Sequence, residues 1–380
     1  MRILYVATDQ VVPGTLGGSV HVQAVAEGLA ALGHEVHVAT RRDVGRVDER
    51  VHWHALGAPA NRPQLRLLRT RAVRSLAEQV RPDVVIERYH NFGGEGVLAA
   101  RTVDARVVLE VNAPIVDHEG SRKALVDRAL VVQPMKQWRT WQVAHADLIV
   151  TPSAAIVPPD VPPSRIVELE WGADTERFGR GAVGSPPWTR EPGTIVCVFA
   201  GAFRAWHGAI QLVEALRLLH AQGRTSFRAV LIGDGPERPA AERAANRAGG
   251  IVFTGSVPHE RMPVALAAAD IGVAPFDAAQ HSPLTLGFYW SPLKIFEYMA
   301  SGLPVVAPAI PRLQALVGNG VEGVLYEPAT PQALAAALAV LEDATRRSSM
   351  GAAARDRAVR EYSWQAHCRA LDAALRRLLP

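Results

Sequence analysis

Short apolar runs alternate with amphipathic helical segments along this chain, and the alternation begins within the first forty residues. Residues 3–7 form an apolar run, a glycine-containing loop follows, and residues 19–33 carry apolar side chains at helical spacing. Residues 36–39 then form a second apolar run. Two buried strands joined by a helical crossover make a parallel βαβ unit, so this pattern predicts a doubly wound α/β sheet.

The alternation continues in two series. Its apolar runs lie at residues 84–86, 107–111 and 148–150, and then at 195–200, 229–232, 251–253, 271–274 and 305–307. A Gly- and Pro-rich interval, residues 179–193, separates the two series and is typical of a linker. We therefore predict two doubly wound α/β domains, residues 1–182 and 183–362, that face each other across a cleft. Residues 363–380 follow as an amphipathic helix with Trp364 and Leu371 on its apolar side.

Composition narrows the class of protein. With 380 residues, of which 48% are hydrophobic, the chain can bury a large core without disulfides or metals. Its two cysteines have no ligand-spaced partners, which argues against a zinc site and fits a reducing cytosol. The start of the chain lacks a signal-peptide pattern and no stretch resembles a membrane span, so we expect a cytoplasmic protein. A net charge of +4 suggests anionic groups among its partners but does not argue for nucleic acid.

The segment SPLKIFEYMASGLPVVAP, residues 291–308, carries the clearest chemistry. Pro292 suits the first turn of a helix, and Gly302 ends that helix before a strand. Unpaired amides at the helix start, the positive end of the helix dipole and the charge of Lys294 would together hold a diphosphate. Glu297, one turn farther along, could accept hydrogen bonds from the two hydroxyls of a ribose. The alternative for this pattern alone is an ordinary amphipathic helix with a Lys–Glu pair on its surface.

The same segment resembles the nucleotide-sugar signature of GT-B glycosyltransferases, especially family 4. In that signature a glutamate, seven residues and a second glutamate precede a GLPVV-type strand. Glu297 matches the second glutamate, which in the family holds the ribose of the nucleotide. Ser291, Leu293 and Lys294 are then donor-binding positions as well. Tyr289 stands in the place of the first glutamate, so the carboxylate expected near the donor sugar is missing from this chain.

Two further segments resemble the same family. Residues 170–178, EWGADTERF, resemble its junction segment, and residues 201–208, GAFRAWHG, resemble the loop whose Arg and Lys grip the donor phosphates. Those two positions are Ala202 and His207 here. We therefore expect Arg204 to replace the missing arginine and His207 to donate a hydrogen bond to phosphate. The alternative is that both are merely polar loop residues.

The order of the remaining segments also follows the family. Residues 232–238, IGDGPER, resemble its strand-end turn, with Gly233 beside the donor. Residues 253–263, FTGSVPHERMP, resemble the segment that lies against the nucleotide base, and the backbone groups of Gly255, Ser256 and Val257 are the predicted base contacts. A Gly-rich turn after a strand is common in α/β proteins, so the ordering of these segments is the stronger signal.

The first half of the chain supplies the other candidate residues. Gly17 and Gly18 match the glycine loop of the family, where backbone amides can approach a phosphate closely. The alternative is a tight turn without a ligand. Many relatives carry a histidine facing the reaction centre at the strand end where this chain has Asn112. His90 and His118 are further candidates, each with the alternative of a structural or surface role.

Two basic runs lie in the same half. Residues 62–81 contain six arginines interleaved with apolar residues, which is typical of a basic amphipathic helix on an anionic membrane surface or against an acidic acceptor. Arg66, Arg69 and Arg74 are the predicted contacts. Residues 122–139 form a second basic run, which includes Trp138. A solvated helix face is the alternative for both, so peripheral membrane contact is a hypothesis.

The resemblance implies a retaining, hexosyltransferase-type enzyme whose last helix crosses back to the first domain. It would move a sugar from a UDP- or GDP-sugar to a hydroxyl of a glycan, lipid-linked or small-molecule acceptor. The predicted catalytic residues are Lys294, Arg204, Asn112 and His90. In retaining enzymes of this fold the departing phosphate is thought to help deprotonate the acceptor, so no protein nucleophile is expected. No metal or other cofactor is predicted.

Two alternatives from other functional classes stay open. A non-hydrolysing sugar-nucleotide epimerase shares the two-domain architecture. A catalytically silent sugar-nucleotide-binding protein would explain why Tyr289, Ala202 and His207 depart from the family pattern. A dinucleotide-dependent dehydrogenase is disfavoured, because the first loop lacks a G-x-G-x-x-G directly after the strand.

Overall fold

A computed structural model describes residues 1–14, 16–42, 48–117, 122–130, 132–179, 181–245, 249–280 and 286–379. The chain forms two compact units. Unit 1 contains Met1–Trp171, Tyr289–Ser291 and Trp364–Pro380, and unit 2 contains Gly172–Phe288 and Pro292–Ser363. Residues 172–182, which the sequence analysis placed in the amino-terminal domain, begin unit 2, because the amide of Ala173 donates to the carbonyl of Tyr362 at 2.7 Å.

The described residues of unit 1 form a seven-stranded parallel sheet in the order β3-β2-β1-β4-β5-β6-β7. Its strands are β1 (Arg2–Val12), β2 (Glu35–Arg42), β3 (Val51–Ala55), β4 (Val84–Arg88), β5 (Arg106–Glu110), β6 (Leu148–Thr151) and β7 (Ile166–Glu168). Its helices include α1 (Gly17–Ala31), α2 (Thr70–Val80), α3 (Glu95–Val103), α4 (Arg122–Ala129) and α5 (Pro134–Ala144). Short 3₁₀ helices occupy Pro59–Asn61, Pro63–Arg69, Ala154–Ile156 and Pro163–Arg165.

The described residues of unit 2 form a six-stranded parallel sheet in the order β10-β9-β8-β11-β12-β13. Its strands are β8 (Ile195–Ala200), β9 (Phe227–Ile232), β10 (Ile251–Gly255), β11 (Ile271–Val273), β12 (Val305–Pro308) and β13 (Gly323–Tyr326). Its helices are α6 (Ala209–Ala221), α7 (Arg238–Ala245), α8 (Met262–Ala267), α9 (Leu293–Ala300), α10 (Pro311–Leu316), α11 (Pro331–Val340) and α12 (Ala344–Glu361), with 3₁₀ helices at Ala205–His207, His259–Arg261 and Ala278–Gln280. Apolar side chains from β8, β9, α6 and α11 fill one side of the sheet.

The prediction of doubly wound α/β domains is confirmed in both units. Every strand expected from an apolar run is present, whereas β3, β7 and β13 were not predicted. All three lie at an edge of their sheet. An edge strand has a neighbour on one side only, and β3 and β7 include polar residues. β13 is a four-residue segment, GVLY, that directly follows Glu322 and a glycine-containing turn, and it is too short to stand out as an apolar run.

The predicted helix at the end of the chain is α13 (Trp364–Arg376), and it belongs to unit 1. It packs against α1 so closely that a Cβ on Gly28 would lie 2.4 Å from the Sγ atom of Cys368. The Nε2 atom of His34 lies 2.8 Å from the Oδ1 atom of Asp372, which is also in α13. Among the described residues, no helix has both the length and the apolar character needed to cross a bilayer.

Candidate functional site

In unit 2 the ammonium group of Lys294 is buried, and no carboxylate in the described part of the chain forms an ion pair with it. Its Nζ atom makes no hydrogen bond to any described residue. It lies 4.6 Å from the ring centre of Phe199 and 5.1 Å from that of Phe276, so aromatic faces supply part of its stabilisation. Burial lowers the pKa of Lys294 to about 7, although the negative charge of Glu297 raises it. This arrangement excludes the surface Lys–Glu pair and is suited to an incoming anion.

The carboxyl end of β8 brings one glycine next to this ammonium, and the carboxyl end of β9 packs a second glycine against the first. Gly201 has a φ of +148°, and a Cβ there would lie 2.8 Å from the Lys294 Nζ atom. Gly233 has a φ of +126°, and a Cβ there would lie 2.0 Å from the carbonyl oxygen of Gly201. The Gly233 amide donates to the carbonyl of Gly255 at 2.8 Å, so this glycine serves by close packing rather than by offering its amide.

Helix α9 carries Lys294 in its first turn. Pro292 is its N-cap and forms no side-chain capping bond, so the amides of Leu293 and Lys294 precede the first intrahelical bond and point out of the helix start. Ser291 does not cap the helix, because its hydroxyl donates to Glu170 at 2.6 Å and accepts from the Trp171 amide at 3.0 Å within unit 1. Its predicted role in donor binding would therefore have to use its backbone.

One turn into α9, Glu297 is buried and already has a partner. Its Oε1 atom lies 3.1 Å from the Nε2 atom of His259. Sequence reasoning did not single out this histidine, although it lies in the segment expected to run beside the base. Tyr289, in the place of the family's first glutamate, is buried in unit 1 against Trp290, and burial raises its pKa to about 12.

The other predicted groups of unit 2 differ in exposure. His207 is buried, with its ring perpendicular to that of Trp206 at 4.0 Å, and a Cβ on Gly201 would lie 3.4 Å from its Nδ1 atom. The structure thus brings His207 and Lys294 to the same glycine. Arg204 is exposed, and Val257 is half-buried after β10.

In unit 1 the predicted glycine loop lies at the carboxyl ends of β1 and β4. Gly17 starts α1, whose N-cap has no side-chain capping bond. A Cβ on Gly18 would lie 2.4 Å from the Oε1 atom of Gln10 and 3.2 Å from the Nη2 atom of Arg88. Both atoms are the ends of flexible side chains, so the glycine keeps this position open, and the helix start adds amides and the positive end of a dipole.

Asn112 occupies a buried polar cluster around Glu110. Its amide donates to Glu110 and accepts from the Nε1 atom of Trp171 at 3.0 Å. Glu110 is also contacted by Arg88 at 2.6 Å and by His21 at 3.1 Å. Burial alone would raise the pKa of Glu110, but its contacts with His21 and Arg88 hold it well below its usual range. Both ends of the Asn112 amide are thus engaged by neighbouring side chains.

His90 lies beside a second charged cluster. Its Nδ1 atom accepts from the Phe92 amide at 3.2 Å, and burial together with the nearby positive charge of Arg66 lowers its pKa, which keeps it neutral at pH 7. Its unprotonated Nδ1 is already used by a backbone amide. The other histidine candidate, His118, lies outside the described residues.

The prediction that Arg66 contacts a membrane is wrong. Arg66 is fully buried and bonds to Asp9 at 2.8 Å, Glu87 at 2.7 Å and Glu95 at 2.8 Å. Burial and the charge of Glu95 raise the pKa of Glu87 to about 8. The sequence does contain one signal for this network, which is Glu87 next to the apolar run of β4. A carboxylate in a wholly buried strand requires a partner, and a buried arginine can supply it.

Other members of the basic runs also have structural partners. Arg69 donates to the carbonyl of Gly57 at 2.7 Å. Arg139 is buried and contacts Asp117 at 3.0 Å. Arg122 and Lys123 have side chains outside the described set. In the part of the chain that is described, no group of three His, Cys, Asp or Glu side chains converges as metal ligands.

Two family models and several solved structures match this chain. Residues 194–343 match the family model "Glycosyl transferases group 1", and residues 16–158 match "Glycosyltransferase Family 4". The fold superposes on sucrose-phosphate synthase from Thermosynechococcus elongatus with a TM-score of 0.72 at 19% identity, covering 99% of this chain and 98% of that one. The chain belongs to the GT-B glycosyltransferases.

Two further relatives of this GT-B glycosyltransferase are informative. Anabaena HepE, solved in complex with UDP, superposes with a TM-score of 0.71 at 16% identity, covering 99% of this chain and all of the other. A GDP-mannose-dependent alpha-mannosyltransferase of Corynebacterium glutamicum is 29% identical over 201 residues. That match spans 52% of this chain and 44% of the relative, so the chain aligns with less than half the length of the mannosyltransferase.

Proposed function

We propose that this protein transfers a sugar from a UDP- or GDP-sugar to an acceptor hydroxyl, with retention at the anomeric carbon, and that Lys294 binds the donor diphosphate. The buried ammonium of Lys294 carries the proposal, because it has no hydrogen-bond partner among the described residues. A desolvated lysine without a counter-charge is costly, and a diphosphate would supply that charge.

The surroundings of Lys294 are those needed to stabilise a leaving group. The amides at the start of α9 and the dipole of that helix favour negative charge at the same place. Phe199 and Phe276 keep water from the ammonium, which strengthens its attraction for the charge that develops as the glycosidic bond breaks. His207, next to Gly201, is the second donor to phosphate.

The remaining donor contacts follow from α9 and β10. Glu297 accepts hydrogen bonds from the ribose, and the backbone near Val257 lies against the base. Gly17 and Gly18 at the start of α1 carry helix-start amides of the kind that binds phosphate. The Nδ1 lone pair of His90 already accepts a hydrogen bond from the Phe92 amide, so this histidine is poorly placed to act as a base. Deprotonation of the acceptor hydroxyl is therefore assigned to the leaving phosphate.

A nucleotide panel tests the donor assignment. UDP and GDP are tested first, because the HepE structure contains UDP and the Corynebacterium relative is named as GDP-mannose-dependent. ADP and dTDP complete the panel. At 100 times its Kd, a ligand that binds only the folded state stabilises it by about 2.7 kcal/mol, which a thermal-shift assay detects.

A matched pair of lysine variants provides the control. Lys294→Met should lose the shift, whereas Lys136→Met should keep it because Lys136 is exposed in unit 1. An unchanged melting temperature of the wild type with all four nucleotides, or equal shifts in both variants, would refute the proposal.

Product analysis separates transfer from the other functions. A transferase releases free nucleoside diphosphate together with a glycosylated acceptor, whereas an epimerase returns an altered sugar nucleotide and a silent binding protein returns the donor intact. The anomeric configuration of the product, read by NMR, tests retention. The family-model matches favour transfer over both alternatives.

Membrane contact is the second part of the proposal, with contacts different from those predicted from the sequence. Leu68 is 70% exposed, and Arg62 and Arg71 on either side of it are exposed as well. An apolar residue between two arginines fits an anionic bilayer surface. Vesicles rich in phosphatidylglycerol should retain the protein in a flotation assay and lose the variant Arg62→Glu/Leu68→Ser/Arg71→Glu. The exposed Arg360→Glu in unit 2 is the control, and no retention at low salt would reject the idea.

A further inference from the structure

His259 contacts the one acidic side chain on α9 that faces the predicted nucleotide site. Its Nε2 atom lies 3.1 Å from the Oε1 atom of Glu297, and Glu297 is 8% exposed. His259 stands at the start of the 3₁₀ helix His259–Arg261, directly after Pro258. The ring centre of Phe178 lies 5.8 Å from that of the histidine.

The contact leaves the second carboxylate oxygen available. In the described part of the chain, no donor reaches the Oε2 atom of Glu297. The glutamate side chain has three rotatable bonds, so a carboxylate without a fixed partner would occupy several orientations. A donor on Oε1 selects one of them, and Nε2 donates to a carboxylate both in the neutral Nε2–H tautomer and in the imidazolium form.

We propose that His259 is a positioning residue that holds the Glu297 carboxylate in the orientation that binds the ribose hydroxyls of the donor nucleotide. This inference rests on the proposed function, because it needs a nucleotide at α9. It assigns the discrimination between ribose and deoxyribose nucleotides to the pair Glu297–His259 rather than to Glu297 alone. His259 itself need not touch the ligand.

The test compares nucleotides that differ only in the ribose. Binding of the diphosphate that the wild type prefers is measured by calorimetry beside its 2′-deoxy and 3′-deoxy analogues. A hydrogen bond to a carboxylate should give the wild type a preference of about tenfold to a hundredfold for at least one hydroxyl. His259→Met should reduce that preference to less than about threefold, close to Glu297→Gln.

Conservative replacement separates positioning from a general structural role. His259→Gln places an amide N–H near the former Nε2 position and should restore most of the preference, whereas the shorter His259→Asn should not. His220→Met is the control, since His220 in α6 bonds the Phe227 carbonyl at 2.9 Å away from α9 and should leave the preference unchanged. If His259→Met does not fold, the comparison of the Gln and Asn variants decides.

Each outcome has a distinct meaning. If the wild type binds none of the diphosphates, the proposed function fails and takes this inference with it. If the wild type distinguishes ribose from deoxyribose and His259→Met does so equally well, the inference fails while the proposed function stands. A wild type that binds both kinds of nucleotide equally would also overturn the role of the pair.

Discussion

The titration of Lys294 makes a quantitative prediction about donor binding. In the free protein, burial holds the pKa of Lys294 at about 7, so the side chain is largely neutral above that pH. A bound diphosphate provides the missing counter-charge and raises the pKa again. Binding above pH 7 must therefore be accompanied by the uptake of a proton, and affinity must fall as the pH rises.

The size of this effect follows from the pKa. Below pH 7 the lysine is already charged and contributes little further change in the Kd. Above pH 7 the Kd should increase about tenfold per pH unit, which corresponds to about 1.4 kcal/mol per unit. Between pH 6 and pH 9 the expected weakening is therefore roughly 100-fold.

Isothermal titration calorimetry of the preferred nucleoside diphosphate measures both quantities. The Kd is determined at half-unit intervals from pH 6 to pH 9, and the enthalpy at pH 8.5 is compared in buffers of different ionisation enthalpy. We expect uptake of about one proton per ligand at that pH. Lys294→Arg should remove the slope, because a guanidinium stays charged throughout this range.

A constant Kd between pH 7 and pH 9 in the wild type, with binding intact, would contradict this reasoning. So would a slope that persists in Lys294→Arg. The free energy of unfolding of the ligand-free protein provides a second check, because its dependence on pH should have the opposite sign to that of nucleotide binding. Because the pKa of Lys294 is lower in the folded than in the unfolded state, the unfolded chain binds more protons between pH 7 and 10.5, and the contribution of this lysine to stability rises with pH there.

Three further predictions concern stability and reactivity. Arg66→Met should cost about 3–5 kcal/mol of unfolding free energy in urea, because it removes the positive charge that Asp9, Glu87 and Glu95 share, whereas the exposed Arg71→Ala should change it by less than about 0.5 kcal/mol. Equal effects would show that the buried network contributes nothing. Gly233→Ala should cost at least about 1–3 kcal/mol, since its Cβ would meet the Gly201 carbonyl at 2.0 Å, while Gly249→Ala meets nothing within 4 Å and serves as control. Both cysteines are buried, so Ellman's reagent should react with neither until the protein unfolds; rapid labelling of the native protein would contradict their burial.

The strands of this protein differ in how well their sequences reveal them. Residues 195–200 and 84–86 are predicted from apolar runs and form central strands β8 and β4. β3 contains two histidines and a tryptophan, and its sequence does not indicate a strand. Central parallel strands are covered on both faces and need continuous apolar side chains, whereas an edge strand tolerates polar ones.

The candidate site shows a similar division. The SPLK segment was sufficient to predict that Lys294 and Glu297 lie one turn apart on a helix. That the lysine ammonium would be buried between Phe199 and Phe276 could not be predicted, because these aromatic residues are distant in the sequence. The partner of Glu297, 38 residues away, was not identified for the same reason.

Arg66 illustrates the limit of pattern reading most clearly. Periodicity and charge alone place it on a basic surface, yet its guanidinium lies at the centre of three carboxylates from β1, β4 and α3. Local patterns of apolar residues and glycines determine the elements and the class of fold, because they depend on neighbours along the chain. Which charges are paired, which are buried and which stay available for a ligand depends on how separate elements pack, and only the folded molecule reveals it.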